Sequence, residues 1–305
     1  GVTIGVKIGL QAGGLVNRVF GKNAMFNVTG AVKKLVPAFP LWSNQLKAAP
    51  ALKKYKPAKD KQAAVVYFPT CINRVMGDTT GKSKSIIDTF FSVSAKAGVE
   101  VMVPDDIKGS CCGQIFSSKG FSKAYRVTAN ETIEKLWKWT NQGQLPVVLD
   151  VTSCTHTLQQ SYPVLTPDNK VKFDRLRILD SVDYIHSFIV PSIRVKAKKD
   201  SIVLHPVGSL QKMGLSDVFV RIATAFANEV KVPLHAGCCG MAGDRGFLFP
   251  ELTRSAVADE IAEVEKNTYE GYYSSGKTCE MALSDAVNKN YESILFLVDE
   301  CTDFS

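Results

Sequence analysis

The triplet Cys-Cys-Gly occurs once in each half of this chain, and it limits the possible folds more than any other feature. The residues around the two triplets correspond in the same order along the chain. The matched positions are Pro69 with Pro206, Cys112-Gly113 with Cys239-Gly240, and Cys154 with Cys279. Three correspondences in one order indicate an internal duplication, so the two halves are expected to share one fold.

Each half alternates short β-prone runs with helical patterns. In the first half, strands are predicted over residues 64–68, 99–103 and 145–151, and helices over 82–97, 121–140 and 181–190. In the second half, strands are predicted over 202–205, 229–234 and 294–298, and helices over 215–228 and 252–266. This alternation is typical of βαβ units. The sequence therefore predicts an α/β fold of two pseudo-repeated βαβ halves with mainly parallel sheets.

The N-terminal residues show a different pattern. Glycines interrupt residues 1–30, which we expect to form one or two short helices. Prolines and lysines are frequent in residues 31–62, as in an extended connector. We therefore divide the chain into an N-terminal segment (1–62), a first repeat (63–198) and a second repeat (199–305).

Charge and hydropathy argue against two classes of protein. The chain has 37 Lys and Arg against 29 Asp and Glu, but its basic stretches, Lys47 to Lys61 and Arg194 to Lys199, contain only Tyr55 as an aromatic residue. Nucleic-acid readers interleave stacking aromatics with their basic residues, so we expect no nucleic-acid partner. No run reaches the roughly 18 apolar residues of a membrane-spanning helix.

The start of the chain bears on where the protein acts. It begins at Gly1 without the pattern of a signal peptide, and we expect it to be part of a longer protein. We predict a cytoplasmic location, and a peripheral association with the inner face of the membrane stays open.

The chain has eight cysteines, which are neither dense nor spaced as in a small secreted scaffold. In the first half they are Cys71, Cys111, Cys112 and Cys154, and each follows a predicted strand. The carboxyl ends of parallel strands meet at one edge of the sheet, so these side chains are expected to converge. Four thiolates in one place make a site for a soft metal.

The paired cysteines favour an iron-sulfur cluster. Neighbouring Cα atoms lie about 3.8 Å apart, below the roughly 4.4 Å at which relaxed disulfides begin. Gly113 gives the backbone the freedom to turn both sulfurs of Cys111 and Cys112 toward one cluster. Zinc sites more often use a Cys-x-x-Cys spacing, which this chain lacks. Buried structural cysteines are the simplest alternative, but they do not explain a triplet that occurs twice.

The second half has a less complete set. It contains Cys238, Cys239 and Cys279, but the duplication puts Gly208 where a counterpart of Cys71 is needed. Cys301 follows the last predicted strand and is a candidate replacement ligand. The second site therefore either uses Cys301 or is incomplete, degenerate or shared.

Several longer motifs carry a resemblance to known proteins. They are Tyr67-Phe68-Pro69-Thr70-Cys71, His205-Pro206, Gln211-Lys212-Met213-Gly214, Ala236-Gly237-Cys238-Cys239-Gly240-Met241-Ala242-Gly243-Asp244 and Ser274-Ser275-Gly276-Lys277-Thr278-Cys279-Glu280. The two Cys-Cys-Gly repeats resemble the cysteine-rich (CCG) domains of heterodisulfide reductase. The motifs are closer to the carboxyl-terminal region of FAD-linked D-lactate dehydrogenases and to the iron-sulfur component of glycolate oxidase.

This resemblance implies an electron-transfer module. In such an enzyme, an FAD domain oxidises a D-2-hydroxy acid, a ferredoxin-like domain holds cubane clusters, and a quinone or cytochrome accepts the electrons. Residues 1–62 would then be the end of the ferredoxin-like region and its linker, and FAD would bind only to the part of the protein outside this chain. The first repeat would hold a cluster of the 4Fe-4S type. Relatives usually have a cysteine at the position of Gly208, which leaves a second cluster in question.

Two other functions remain open from the residues alone. A thiol-disulfide enzyme or sensor would cycle its cysteine pairs without metal. A zinc-stabilised interaction module would hold metal without redox chemistry. Iron and acid-labile sulfide, thiol titration and zinc content separate the three.

Overall fold

The computed structural model describes residues 2–57, 61–79 and 81–304. It contains two four-stranded sheets, one in each half, and all strands within each of these sheets run parallel. The α/β class predicted from the sequence is therefore confirmed.

Two helices precede the sheets, α1 (Val2–Phe20) and α2 (Ala24–Leu35). The residues after α2 contact both halves. The backbone N–H of Leu41 donates to Phe247 O at 2.7 Å in the second half, and that of Ala49 donates to Val75 O at 2.8 Å in the first. A small core of Leu10, Trp42 and Val75 anchors the segment.

The first half builds its sheet in the order β2-β1-β3-β4. Its elements are β1 (Val65–Phe68), α3 (Cys71–Val75), α4 (Ile86–Lys96), β2 (Val101–Met102), α5 (Gln114–Ser117), α6 (Ser122–Trp139), β3 (Val147–Leu149), α7 (Thr152–Gln159), a 3-10 turn (Tyr162–Val164), α8 (Pro167–Phe173), β4 (Ile178–Asp180) and α9 (Ser181–Tyr184), which continues into a π-helical turn (Ile185–Ile189). Strands β1 and β3 are fully buried, as expected when helices cover both faces of a parallel sheet.

The second half repeats this topology with the order β7-β6-β8-β9. After the connecting strand β5 (Arg194–Val195), its elements are β6 (Lys199–His205), α10 (Gly208–Lys212), α11 (Ser216–Phe226), β7 (Ala227–Lys231), α12 (Arg245–Leu248), α13 (Pro250–Val264), β8 (Gly271–Ser274), α14 (Lys277–Val287), β9 (Tyr291–Ser293), α15 (Ile294–Glu300) and β10 (Thr302–Asp303). Strands β5 and β10 form a separate antiparallel pair. The identical strand order supports the duplication inferred from the cysteines.

The prediction of a last strand over residues 294–298 is wrong. These residues belong to α15, whose start is capped by Ser293 Oγ, which accepts from the backbone N–H of Leu295 at 3.4 Å. The run is buried on every side, and α15 lies against α4 and β8. Five consecutive apolar residues fit a buried helix as well as a buried strand, so periodicity alone does not separate the two.

The two halves pack about an approximate two-fold relation. Helix α4 of the first half lies against α15 of the second, and α11 of the second lies against α9 of the first. The backbone N–H of Thr152 donates to Ser275 O at 3.2 Å, which joins the loops after β3 and β8. The edges that carry the cysteines are therefore neighbours in the folded chain.

Candidate metal centre

The first-half cysteines meet at the carboxyl edge of their sheet. Cys71 is the first residue of α3, directly beyond β1. Cys111 and Cys112 lie in the loop that follows β2, and Cys154 lies in the first turn of α7, beyond β3. The placement at strand ends that the sequence predicts is the one in the structure.

The four thiols form a connected group. The Sγ atoms of Cys71 and Cys111 are 3.8 Å apart. Cys112 interacts electrostatically with both Cys111 and Cys154. Cys112 and Cys154 are 3% and 5% exposed, whereas Cys71 and Cys111 are only half-buried. The group therefore has a buried side and a side that is open to solvent.

Gly113 gives this loop its shape. Its φ is +84°, in the left-handed region that favours glycine, and its N–H donates to Cys111 Sγ at 3.4 Å. A Cβ at this position would lie 2.9 Å from the ring of Tyr125. The turn that directs both neighbouring sulfurs toward one site thus depends on glycine.

The thiols share their protons unequally. The pKa of Cys111 lies well below its usual range because of hydrogen bonding with Cys112 and Cys71. The Gly113 N–H and the charge of Arg74 lower this pKa further. The hydrogen bonds to Cys111 raise the pKa of Cys71 and of Cys112, and burial adds to both shifts. The lowered pKa favours the thiolate form at Cys111 over that at Cys71 and Cys112.

Arg74 is a residue of this site that the sequence analysis did not identify. Its Nε donates to Pro69 O at 3.0 Å and its Nη1 to Ile107 O at 2.9 Å, and its Nη2 donates to Ser110 O. These bonds tie the end of β1 to the cysteine loop. Burial lowers the pKa of Arg74, and attraction to Cys71, to the buried carboxyl of Asp150 and to Cys111 opposes this lowering, so the guanidinium charge acts on Asp150 as well as on the thiols.

The second half lacks both Cys71 and Arg74. Gly208 is the first residue of α10, as Cys71 is of α3. Gln211 takes the place of Arg74, and its Nε2 donates to Pro206 O at 3.0 Å, as Arg74 Nε does to the proline of the first half. The second half has therefore lost one sulfur and one positive charge at matched positions.

The remaining cysteines of the second half form a pair and a separate thiol. The Sγ atoms of Cys239 and Cys279 are 2.7 Å apart. The hydrogen bond from Cys279 lowers the pKa of Cys239 to about 7, and the same contact raises the pKa of Cys279. Cys238 is exposed. Lys277, the buried cation of this loop, is paired with Asp78 and does not offer a free charge to the thiols.

Cys301 does not follow a strand, so the reason for proposing it as the replacement ligand is wrong. It lies at the far end of α15, a helix of seven residues, and about 10 Å of helix separates it from the end of β9. Its Sγ donates to Phe226 O at 3.5 Å, and it is 2% exposed. The structure gives Cys301 the surroundings of a core residue.

Two further observations concern the whole described chain. Among residues 2–57, 61–79 and 81–304, no three His, Cys, Asp or Glu side chains are placed around a single metal ion, so the four first-half thiols are grouped more loosely than the ligands of one ion. Over the same ranges, none of the helices combines the length and the apolar composition needed to cross a bilayer.

Comparison with known proteins finds a family model that matches part of the first half. The model of the CCG family, a cysteine-rich domain, matches residues 65–159. The matched residues include all four first-half cysteines and Arg74.

Curated relatives extend this comparison. The chain is 26% identical over 141 residues to the C component of anaerobic glycerol-3-phosphate dehydrogenase of Escherichia coli strain K12, which is 46% of this chain and 36% of the relative. The same protein from Escherichia coli O157:H7 matches to the same extent. The chain thus spans about a third of the length of these relatives, since the match covers 36% of each relative.

Solved structures add little. An aspartate racemase from Picrophilus torridus aligns with 80% of this chain and 96% of its own, at 8% identity and a TM-score of 0.32. An aspartate racemase homologue from Pyrococcus horikoshii OT3 aligns with 78% of this chain and 96% of its own, at 10% identity and a TM-score of 0.27. At these scores the likeness carries no argument about function.

Proposed function

We propose that this chain is an iron-sulfur electron-transfer module of a dehydrogenase, and that its first half holds one cluster on Cys71, Cys111, Cys112 and Cys154. The observation that carries the proposal is the convergence of these four thiols beside Arg74, within the residues that match the cysteine-rich domain. The relatives are named as part of a dehydrogenase, which supports the same role.

The donor set fits a cluster. Four thiolates suit iron and inorganic sulfide, and such a centre carries net negative charge. The positive charge of Arg74 offsets part of that negative charge. The half-buried Cys71 and Cys111 leave the other side accessible to a redox partner. When bound, the cluster supplies one-electron transfer, while these residues hold it, stabilise its charge and keep one side open.

The wider assignment rests on the motif resemblance. We propose that the longer protein is an FAD-linked D-2-hydroxy-acid dehydrogenase of the D-lactate or glycolate type, with ferredoxin-like and FAD domains before this chain and a quinone or cytochrome as acceptor. It is proposed to act in the cytoplasm, with peripheral contact to the membrane. In the second half, Cys238, Cys239 and Cys279 remain candidate ligands of an incomplete site, because Gly208 and Gln211 replace Cys71 and Arg74.

Metal and sulfide analysis tests this proposal. Chain prepared without oxygen is expected to contain about four iron and about four acid-labile sulfide per molecule, the content of one [4Fe–4S] cluster. Absence of both iron and sulfide under these conditions would exclude the module function. Oxidant-dependent thiol titration without metal would favour thiol-disulfide chemistry.

Zinc is the second candidate because of one distance. The 3.8 Å between the sulfurs of Cys71 and Cys111 equals the edge of a sulfur tetrahedron around an ion with Zn–S bonds of about 2.3 Å. A zinc site would make the first half a structural module without electron transfer. One zinc per chain without iron or sulfide is the result that would establish it.

Replacing Arg74 by glutamine makes the first half resemble the second. We expect the midpoint potential of the cluster to fall by roughly 50–100 mV, because the reduced cluster is more negative and loses more when the positive charge is removed. Two unit charges assumed to lie roughly 8 Å apart in an effective dielectric of 20 interact by about 2 kcal/mol. Potentiometric titration followed by electron paramagnetic resonance measures the shift. An unchanged midpoint potential at full iron content would show that Arg74 only holds the cysteine loop in place.

A further inference from the structure

The second half holds two thiols in close contact. Cys239 lies in the loop between β7 and α12, Cys279 lies in the first turn of α14, and their Sγ atoms are 2.7 Å apart. Two sulfurs that bind one tetrahedral ion lie about 3.8 Å apart, and sulfurs that bind different irons of a cluster lie farther apart. The two thiols are therefore closer together than two ligands of a metal centre, and they are within reach of a covalent bond to each other.

This half does not complete a set of four sulfurs. Gly208 occupies the place of Cys71, and a Cβ at this position would meet no atom of the described residues within 4 Å. A Cβ at Gly276 would lie 3.1 Å from Val207 Cγ1, so the start of α10 packs against the loop that carries Cys279. The place of the missing sulfur therefore lies beside the pair and leaves room there for a small reactant.

The surroundings of the pair are partly open to solvent. Cys279 is half-buried, and Cys238, the neighbour of Cys239 along the chain, is exposed. Cys239 is only 4% exposed. Small molecules in solution can therefore reach this edge of the second half, whereas one of the two thiols is shielded from it.

A buried polar pair distinguishes the second half near these thiols. His205 ends β6, where Phe68 ends β1 in the first half. The Nδ1 atom of His205 is 2.8 Å from Glu260 Oε1, and the two residues are 0% and 2% exposed. Hydrogen bonding with Cys279 is the main cause that lowers the pKa of Cys239, and the charge of His205 is a further one, so the imidazole lies near the pair. The two halves therefore differ around their thiols as well as in the number of thiols.

We infer that Cys239 and Cys279 form a metal-free dithiol-disulfide couple that exchanges with low-molecular-weight disulfides. In this reaction an S–S bond forms between the two protein sulfurs, and the S–S bond of the small disulfide breaks. Two electrons pass from the protein thiols to the small disulfide, and the two thiol protons pass to the two small thiols that it releases. The inference goes beyond the proposed one-electron module and does not require a cluster in the first half.

Glutathione redox buffers test the couple. The chain is prepared without oxygen, equilibrated at fixed ratios of reduced to oxidised glutathione, quenched with acid, alkylated and digested. Tandem mass spectrometry then identifies linked peptides. We expect a single internal disulfide, between Cys239 and Cys279, that forms completely when oxidised glutathione is in excess and disappears when reduced glutathione is in excess. Its fraction should follow the dependence on this ratio that a two-electron couple requires, and the iron content should not change.

Cysteine variants assign the couple. Cys239→Ser and Cys279→Ser should each abolish the internal disulfide and stop the reaction at a mixed disulfide with glutathione. Cys238→Ser removes the exposed neighbouring thiol and should retain the internal disulfide in full. Cys112→Ala, which is expected to lack iron, should also form the disulfide, and this result separates the couple from the proposed cluster.

Three results would overturn the inference. They are the absence of an internal disulfide at every ratio, a disulfide that joins Cys238 instead of Cys239 to Cys279, and a loss of iron that accompanies the disulfide in the wild type but not in Cys239→Ser. The third result would show that the pair holds metal. Fragmentation of the linked peptides from the wild type decides the first two, so the outcome does not depend on how well the serine variants fold.

Discussion

Replacing Cys112 by alanine is expected to lower the iron content from about four to near zero per chain, with parallel loss of acid-labile sulfide and visible absorbance. Cys112 is the most buried thiol of the first group, and it interacts electrostatically with both Cys111 and Cys154. Its removal leaves three ligands where a cluster of this type needs four. Iron, sulfide and absorbance are measured on protein prepared without oxygen.

The duplication provides a matched control for this experiment. Cys239 occupies the corresponding position in the second half and is 4% exposed, against 3% for Cys112. Cys239→Ala removes the same atoms from a similar environment, so its effect on folding should be comparable. We expect it to retain all the iron. Equal loss from both variants would point to general destabilisation, and full retention of iron in Cys112→Ala would contradict the proposed ligand set.

Most of the fold could be predicted because its strands form continuous apolar runs. The β1 and β6 runs each end at a proline, and the helices after them have clear amphipathic patterns. Three strands of the two parallel sheets, β4, β8 and β9, escape prediction. None of the three is a continuous apolar run, because β4 ends in Asp180, β8 begins with Gly271 and ends with Ser274, and β9 contains Glu292.

A comparison of the two halves could have shown that residues 294–298 form a helix and not the predicted strand. Asp180 and Ser293 end equivalent strands, and each caps the helix that follows through its own side chain. A comparison of the two halves at this point would have predicted α15 from its counterpart, α9. Hydropathy is uninformative there because the whole run is buried.

The site could be predicted in part because cysteine is rare and its positions are easily compared. The convergence of Cys71, Cys111, Cys112 and Cys154 follows from parallel topology alone. Arg74 escapes prediction because arginine is common on surfaces. Two signals are available in the sequence. Arg74 lies three residues after Cys71 on one helix, and the second half has Gln211 in place of Arg74 where it also has Gly208 in place of Cys71.

Restoring the missing ligand in the second half is the prediction with the largest expected gain. The double variant Gly208→Cys, Gln211→Arg should raise the iron content from about four to about eight per chain. A Cβ at Gly208 meets no atom within 4 Å, and its φ is not in the left-handed region. The residues before α3 and α10 also match closely: Thr70 has φ −65° and ψ 156°, and Val207 has φ −63° and ψ 151°.

The geometry therefore directs a thiol introduced at position 208 much as α3 directs that of Cys71, and the arginine would restore the charge near it. Gly208→Ala is the matched control, because it adds the Cβ and its helix-favouring effect without a sulfur and should leave iron unchanged. The single variant Gly208→Cys separates the effect of the added ligand from the effect of the added charge. A gain with the cysteine alone would make the number of sulfur ligands the limiting factor, whereas a gain only in the double variant would show that the arginine charge is also required. Iron that stays at about four in both would mean that exposed Cys238 does not reach the site, and that the second half has diverged beyond these two positions.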